Sequence, residues 1–119
     1  MKTRGDWYEQ RAVDWLRSAG WTIVARNYHT RLGEIDIIAH DQSTLVFIEV
    51  RARHNPLFAS ASGSVDWRKQ RKVSRSAQLF LKQQPAWSGW ACRFDVIAFE
   101  PTQSADELEL RWIRSAFTT

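Results

Sequence analysis

Three carboxylates and one guanidinium lie on two short segments that a tight turn would bring face to face. Glu34 and Asp36 belong to Gly33-Glu34-Ile35-Asp36-Ile37-Ile38-Ala39, and Glu49 and Arg51 to Leu45-Val46-Phe47-Ile48-Glu49-Val50-Arg51. Both segments are rich in Ile and Val and read as strands, with His40 to Thr44 as the polar turn. Strand side chains alternate between faces. Val46, Ile48 and Val50 should share one face, with Phe47, Glu49 and Arg51 opposite; Ile35 and Ile37 should share a face, with Glu34, Asp36 and Ile38 opposite. A turn centred near Gln42 and Ser43 sets Asp36 against Glu49 and Glu34 against Arg51. The second pair is an ordinary cross-strand ion pair. The first is repulsive, by about 3 kcal/mol at ~5 Å and an effective dielectric of ~20. A divalent cation reverses that sign, because hard cations take carboxylate oxygens. The plain alternative is that these charges face water.

Further groups could join this pair. Glu9 stands three residues after Asp6, the spacing of a capping box, so its local role is to bond the N-cap amide. Its functional alternative is to reach over the strands as a third acid. Arg51 lies on the strand face of Glu49 and could hold a phosphate by two nitrogens; the alternative is a salt bridge to Glu34. Arg68, Arg71, Lys72 and Arg75 follow i, i+3, i+4, i+7 spacing, with Lys69 among them and no acid after Asp66. A solvated helix face mixes signs, so this stripe favours phosphate-backbone binding. His29, His40 and His54 lack zinc-ligand spacing. Asp95, in Arg93-Phe94-Asp95-Val96, is expected to pair locally with Arg93 or another base.

The elements that must position these groups can be read in order. Tyr8, Ala12, Trp15, Leu16 and Ala19 recur at helical spacing behind an Asp6 cap, and Gly20 closes that helix. Trp21 to Arg26 reads as a strand, and Asn27 to Leu32 as a polar connection to the two central strands. His54 to Ser64 is a loop of small residues. Asp66 caps a second helix from about Trp67 to Gln83, with Val73, Ala77, Phe80 and Leu81 on its apolar face and Pro85 beyond its end. Cys92 to Phe99 and Leu108 to Arg114 read as strands. The order αβββαββ suits a central mixed sheet of about five strands flanked by helices. The short turn demands antiparallel pairing of strands two and three, and the second helix permits a parallel crossover to strand four.

Composition sets limits. The chain has 119 residues, 44% hydrophobic and 25% charged, which suits one α/β domain over 1–119. Seven Trp are many for this length, and packing is the expected role of most. The formal net charge is +4 and the pI about 9.7, compatible with a polyanionic partner. One cysteine, Cys92, excludes an intrachain disulfide. No signal-peptide pattern or membrane-length apolar run stands out, so a cytoplasmic protein without membrane contact is expected.

An Asp on one strand, then Glu-x-basic on the next, after a helix bearing a Glu, resembles the motif of the PD-(D/E)xK nuclease superfamily. More narrowly the chain resembles the YraN family, small bacterial proteins described as predicted endonucleases distantly related to archaeal Holliday junction resolvases. The similarity is carried by Gly5, Glu9 and Ala12, Ala25-Arg26-Asn27, Gly33 to Ala39, Val46 to Arg53, Lys69, Arg93 to Val96 and Ala116-Phe117. It implies a restriction-endonuclease-like (PD-(D/E)xK) core in which Asp36, Glu49 and the Val50 carbonyl hold Mg2+ or Mn2+, and Glu9 supports the metal or its water. Arg51 stands where the motif has lysine; it stays protonated and can serve a phosphate but not a general base. The resemblance implies a metal-dependent endonuclease acting on DNA, on branched or repair intermediates, with Glu9, Asp36, Glu49 and Arg51 catalytic and Arg53, Arg68, Lys69, Arg71, Lys72 and Arg75 on the nucleic acid. The alternative is a non-catalytic nucleic-acid-binding module on a nuclease fold. A third expectation is a protein-interaction role for the Trp87 and Trp90 region; related resolvases are dimers, so the alternative is that this surface pairs two copies in a homodimer.

Overall fold

The computed structural model describes residues 4–52, 66–101 and 108–117. Arg53 and the expected loop from His54 to Ser64 lie outside them. Helix α1 spans Arg4–Ser18, followed by strands β1 (Thr22–Thr30), β2 (Gly33–His40) and β3 (Thr44–Ala52). Helix α2 (Trp67–Gln83) and a short 3-10 turn (Pro85–Trp87) lead to β4 (Ala91–Pro101) and β5 (Leu108–Phe117). The strands form one sheet in the order β1-β2-β3-β4-β5. β3 and β4 are parallel, across the α2 connection, and every other neighbouring pair is antiparallel. This is the expected α/β mixed sheet.

Each helix covers one face. Tyr8, Ala12, Val13 and Leu16 of α1 pack with Ile37, Ala39, Val46, Ile48, Ile97 and Phe99. Val73, Ala77 and Phe80 of α2 pack with Ile35, Ile38, Leu45, Phe47, Val96 and Ala98 on the other face. Local signals set the helix ends. Asp66 accepts from Lys69 N at 2.9 Å, so α2 starts at its sequence cap. Gly20, at φ 90°, closes α1 with bonds from Gly20 N to Arg17 O and Trp21 N to Leu16 O, a Schellman end.

Several expectations need correction. α1 starts at Arg4, so Asp6 lies in its first turn rather than at the cap. Trp15 and Ala19 are exposed, and Val13 takes the inward position. β1 continues through Thr30, where a polar connection was expected. β4 and β5 extend to Pro101 and Phe117. Ile35 and Ile37 face opposite helices, because strand alternation breaks between the pairs Arg26↔Ile37 and Tyr28↔Ile35. Asn27, enclosed by those pairs, has φ 50°. That left-handed conformation, which Asn tolerates better than most side chains, falls on β1 opposite the break. Ala25 and Tyr28, like Ile35 and Ile38, then fall on one face three residues apart. Asp36 sits at this break.

The turn into β2 is pinned to α2. Thr30 Oγ1 accepts from Leu32 N and Gly33 N, both at 3.0 Å, and lies 3.0 Å from Ser76 Oγ. A Cβ on Gly33 would meet Lys72 Cβ at 3.0 Å and the Lys72 carbonyl at 3.3 Å, at a φ of 155°. Gly33→Ala must move helix backbone, and should destabilise the fold by about 1–3 kcal/mol. Chemical denaturation would measure it, and an unchanged midpoint would contradict the tight approach.

A candidate carboxylate–metal centre

Asp36 and Glu49 come together at the ends of β2 and β3. The ladder runs Ile38↔Phe47 and Ile37↔Ile48, so its continuation sets Asp36 beside Glu49, as the turn predicts. Instead of a further backbone rung, Asp36 Oδ2 accepts from Val50 N at 2.9 Å. The expected Glu34–Arg51 pair does not form. Glu34 contacts His29 at 3.6 Å, and Arg51 contacts Asp36 at 3.6 Å. The break at Asn27 accounts for this, since it removes the alternation that would aim Glu34 and Asp36 the same way.

Glu49 is 0% exposed, and neither of its oxygens completes a hydrogen bond as a carboxylate. The nearest cation is Lys69 Nζ, 3.4 Å from Oε1. Burial first, and then the Asp36 carboxylate alongside, push the Glu49 pKa up to about 8. In the protonated form Glu49 can donate to Asp36, which gives its hydrogen a partner that the ionised form lacks. A buried charge without donors is costly, so this position suits either a proton or a cation.

Glu9 does not serve as a capping-box residue. Its Oε1 accepts from Asn27 Nδ2 at 2.9 Å and from Arg26 Nε at 3.4 Å. Burial and then the Asp36 charge raise its pKa, against Arg26 and Asn27. α1 thus brings a third acid within electrostatic range of Asp36. No three His, Cys, Asp or Glu side chains converge as a metal cage among the described residues. The donor set is two carboxylates and the Val50 carbonyl, all oxygen, which fits Mg2+ or Mn2+. Such ions keep waters and use few protein ligands beside substrate phosphates.

Lys69, expected on the nucleic acid beside that stripe, lies off its row, at i, i+4 and i+7 with buried Val73 and Ser76; its side chain is partly exposed and reaches Glu49. That spacing is the signal that could have found it. Arg68, Arg71, Lys72 and Arg75 are exposed as expected. The Arg68 and Arg71 guanidiniums lie 5.6 and 5.9 Å from the ring of Trp67. The N-terminal half of α2 therefore carries the basic stripe and, through Lys69, a contact to Glu49.

Two other groups have local partners. Buried Asp95 accepts from Arg93 at 2.9 and 3.0 Å, Trp112 Nε1 at 2.8 Å and Ser115 N at 2.9 Å, which ties β4 to the bulged end of β5. Trp87 and Trp90 are half-buried, packed on each other and on His40. No helix among the described residues is long and apolar enough to cross a membrane.

The sequence model of Uncharacterised protein family UPF0102 matches residues 8–99. A UPF0102 protein of Alcanivorax borkumensis is 46% identical over 116 residues, covering 98% of this chain and 92% of the relative. One from Xanthomonas axonopodis pv. citri is 44% identical, covering 96% and 90%. One from Halorhodospira halophila is 41% identical, covering 98% and 88%.

Proposed function

This chain belongs to uncharacterised protein family UPF0102, and from the site its fold builds we propose a divalent-metal-dependent endonuclease of the PD-(D/E)xK kind that hydrolyses DNA phosphodiester bonds, branched or repair intermediates included. The observation that carries this reading is Glu49: a fully buried carboxylate with no donor of its own, set beside a second carboxylate. Groups held at such cost to stability cluster at functional sites.

In this reading Asp36, Glu49 and the Val50 carbonyl hold Mg2+ or Mn2+. When bound, the cation supplies Lewis-acid chemistry, drawing charge from the scissile phosphate and acidifying the attacking water. Lys69 brings to Glu49 the primary amine that position 51 lacks. Arg51 stays charged and stabilises negative phosphate oxygens. Glu9, fixed by Asn27 and Arg26, positions a water beside Asp36. Arg68, Arg71, Lys72 and Arg75 take the phosphate backbone and set the strand over the site; Arg53 joins them from the sequence reading.

The test is nicking of plasmid, flapped and four-way-junction DNA with Mg2+ or Mn2+. Wild type should cut at least one of them, and Asp36→Asn, folded by circular dichroism, should cut none. Wild type inert with both metals on all three would overturn hydrolysis. Salt-sensitive binding of the same DNA would then leave the non-catalytic module, the reading that Arg51 at the lysine position favours.

A further inference from the structure

Arg51 does more than replace a lysine. Its Nη1 donates to the Val50 carbonyl at 2.8 Å, and the same nitrogen lies 3.6 Å from Asp36 Oδ2. These oxygens belong to two of the three residues assigned to the metal. One positive nitrogen therefore stands beside groups that the ion would use. Lys69 takes the corresponding place at the third, 3.4 Å from Glu49 Oε1. Two monovalent cations thus stand beside the groups proposed for one divalent cation.

We propose that Arg51 is an internal stand-in for the metal, displaced when a nucleic-acid phosphate draws its guanidinium away, so that metal and nucleic acid load together. This rests on the ligand set proposed above.

The chemistry of the side chain decides the route. A lysine could vacate such a site by losing its proton, but a guanidinium stays charged at every working pH. Arg51 must therefore move physically before a cation can touch both oxygens, since two positive centres repel at that distance. The side chains of Arg51 and Asp36 are 23% and 20% exposed, so the guanidinium already meets solvent. Its present contacts are one hydrogen bond to a neutral carbonyl and a long contact to a carboxylate. A phosphodiester offers the planar fork two oxygens that share one negative charge, a stronger partner. Nucleic acid thereby clears the metal ligands, and by reciprocity bound metal leaves Arg51 free for the phosphate. The consequence is a site that binds divalent cations weakly until its substrate is present.

The test is Mn2+ titration calorimetry on the full chain, with and without a hydrolysis-resistant phosphorothioate DNA duplex. Wild type is compared with Arg51→Met and Arg51→Gln, two variants so that one poor folder does not decide the result. Without DNA both variants should bind Mn2+ about tenfold more tightly than wild type. With DNA the difference should vanish, because Arg51 has already left. Variants no tighter than wild type without DNA would overturn the proposal. So would equal tightening with and without DNA, the signature of a lost charge rather than a displaced group. Asp36→Ala separates the two levels. If it retains wild-type Mn2+ affinity, the ligand set itself is wrong and this inference falls with it. If it loses binding while the Arg51 variants behave as wild type, only the stand-in is refuted.

Discussion

Glu49→Gln should make the metal-free protein more stable in alkaline solution while destroying divalent-cation binding and cleavage. The carboxyl starts from an ordinary 4.5 and is held at about 8 in the folded chain. Below the unfolded value it is neutral in both states and contributes its full stability. As pH rises past 4.5 the unfolded chain ionises while the folded one keeps its proton, and stability is lost until pH passes about 8. The loss is on the order of 5 kcal/mol across that window. Glutamine does not ionise, so its advantage over wild type should be small near pH 4 and should grow to most of that amount by about pH 9. Denaturant midpoints of both proteins at the two pH values, with chelator present, measure it. A constant difference would mean that Glu49 is ionised in its buried position. Adding Mn2+ at alkaline pH should rescue wild type but not the variant, because a ligand bound only by the native state stabilises it. The residue that weakens the apo fold is then the one that holds the ion, and stability is traded for function at a single side chain.

Lys69→Met and Arg71→Met should fail in different ways, although the two residues are neighbours on the same helix. Lys69 reaches the Glu49 oxygen from α2. Its loss should lower turnover at saturating DNA by about a hundredfold or more. It should leave the slope of log affinity against log salt within a few tenths. Arg71 is exposed beside Trp67. Its loss should flatten that slope by up to about one unit, with binding weakened uniformly across sequences. Affinities measured at several salt concentrations, with single-turnover cleavage beside them, separate the two roles. A Lys69→Met protein with a flattened slope and intact turnover would return Lys69 to the nucleic acid and leave Glu49 without a catalytic cation.

The boundaries of α2 were legible because they depend on neighbours in the chain: Asp66 caps it and Pro85 follows its last turn. The parallel β3–β4 pair was legible because a helix-length connection permits it. The meeting of Asp36 and Glu49 followed from the length of the turn between their strands. The face on which Ile35 lies did not follow, because the alternation breaks opposite a left-handed Asn27 on the adjacent strand. The partners of Glu9 were also hidden. A capping box and a bridge to Asn27 need the same residue type, and only the packing of α1 beside β1 chooses between them.

By itself the sequence determined the order of elements, the Asp66 cap of α2 and the Gly20 end of α1, the register of the central strands and hence the pairing of two acids. These are settled by hydrogen bonds, periodicity and sterics over a few residues. Only the tertiary structure decided that Glu49 is sealed from water, that Lys69 reaches it, and that Arg51 turns onto the Val50 carbonyl and Asp36 instead of Glu34. Burial and charge contact are properties of what lies opposite a side chain, and what lies opposite comes from elements distant in the chain.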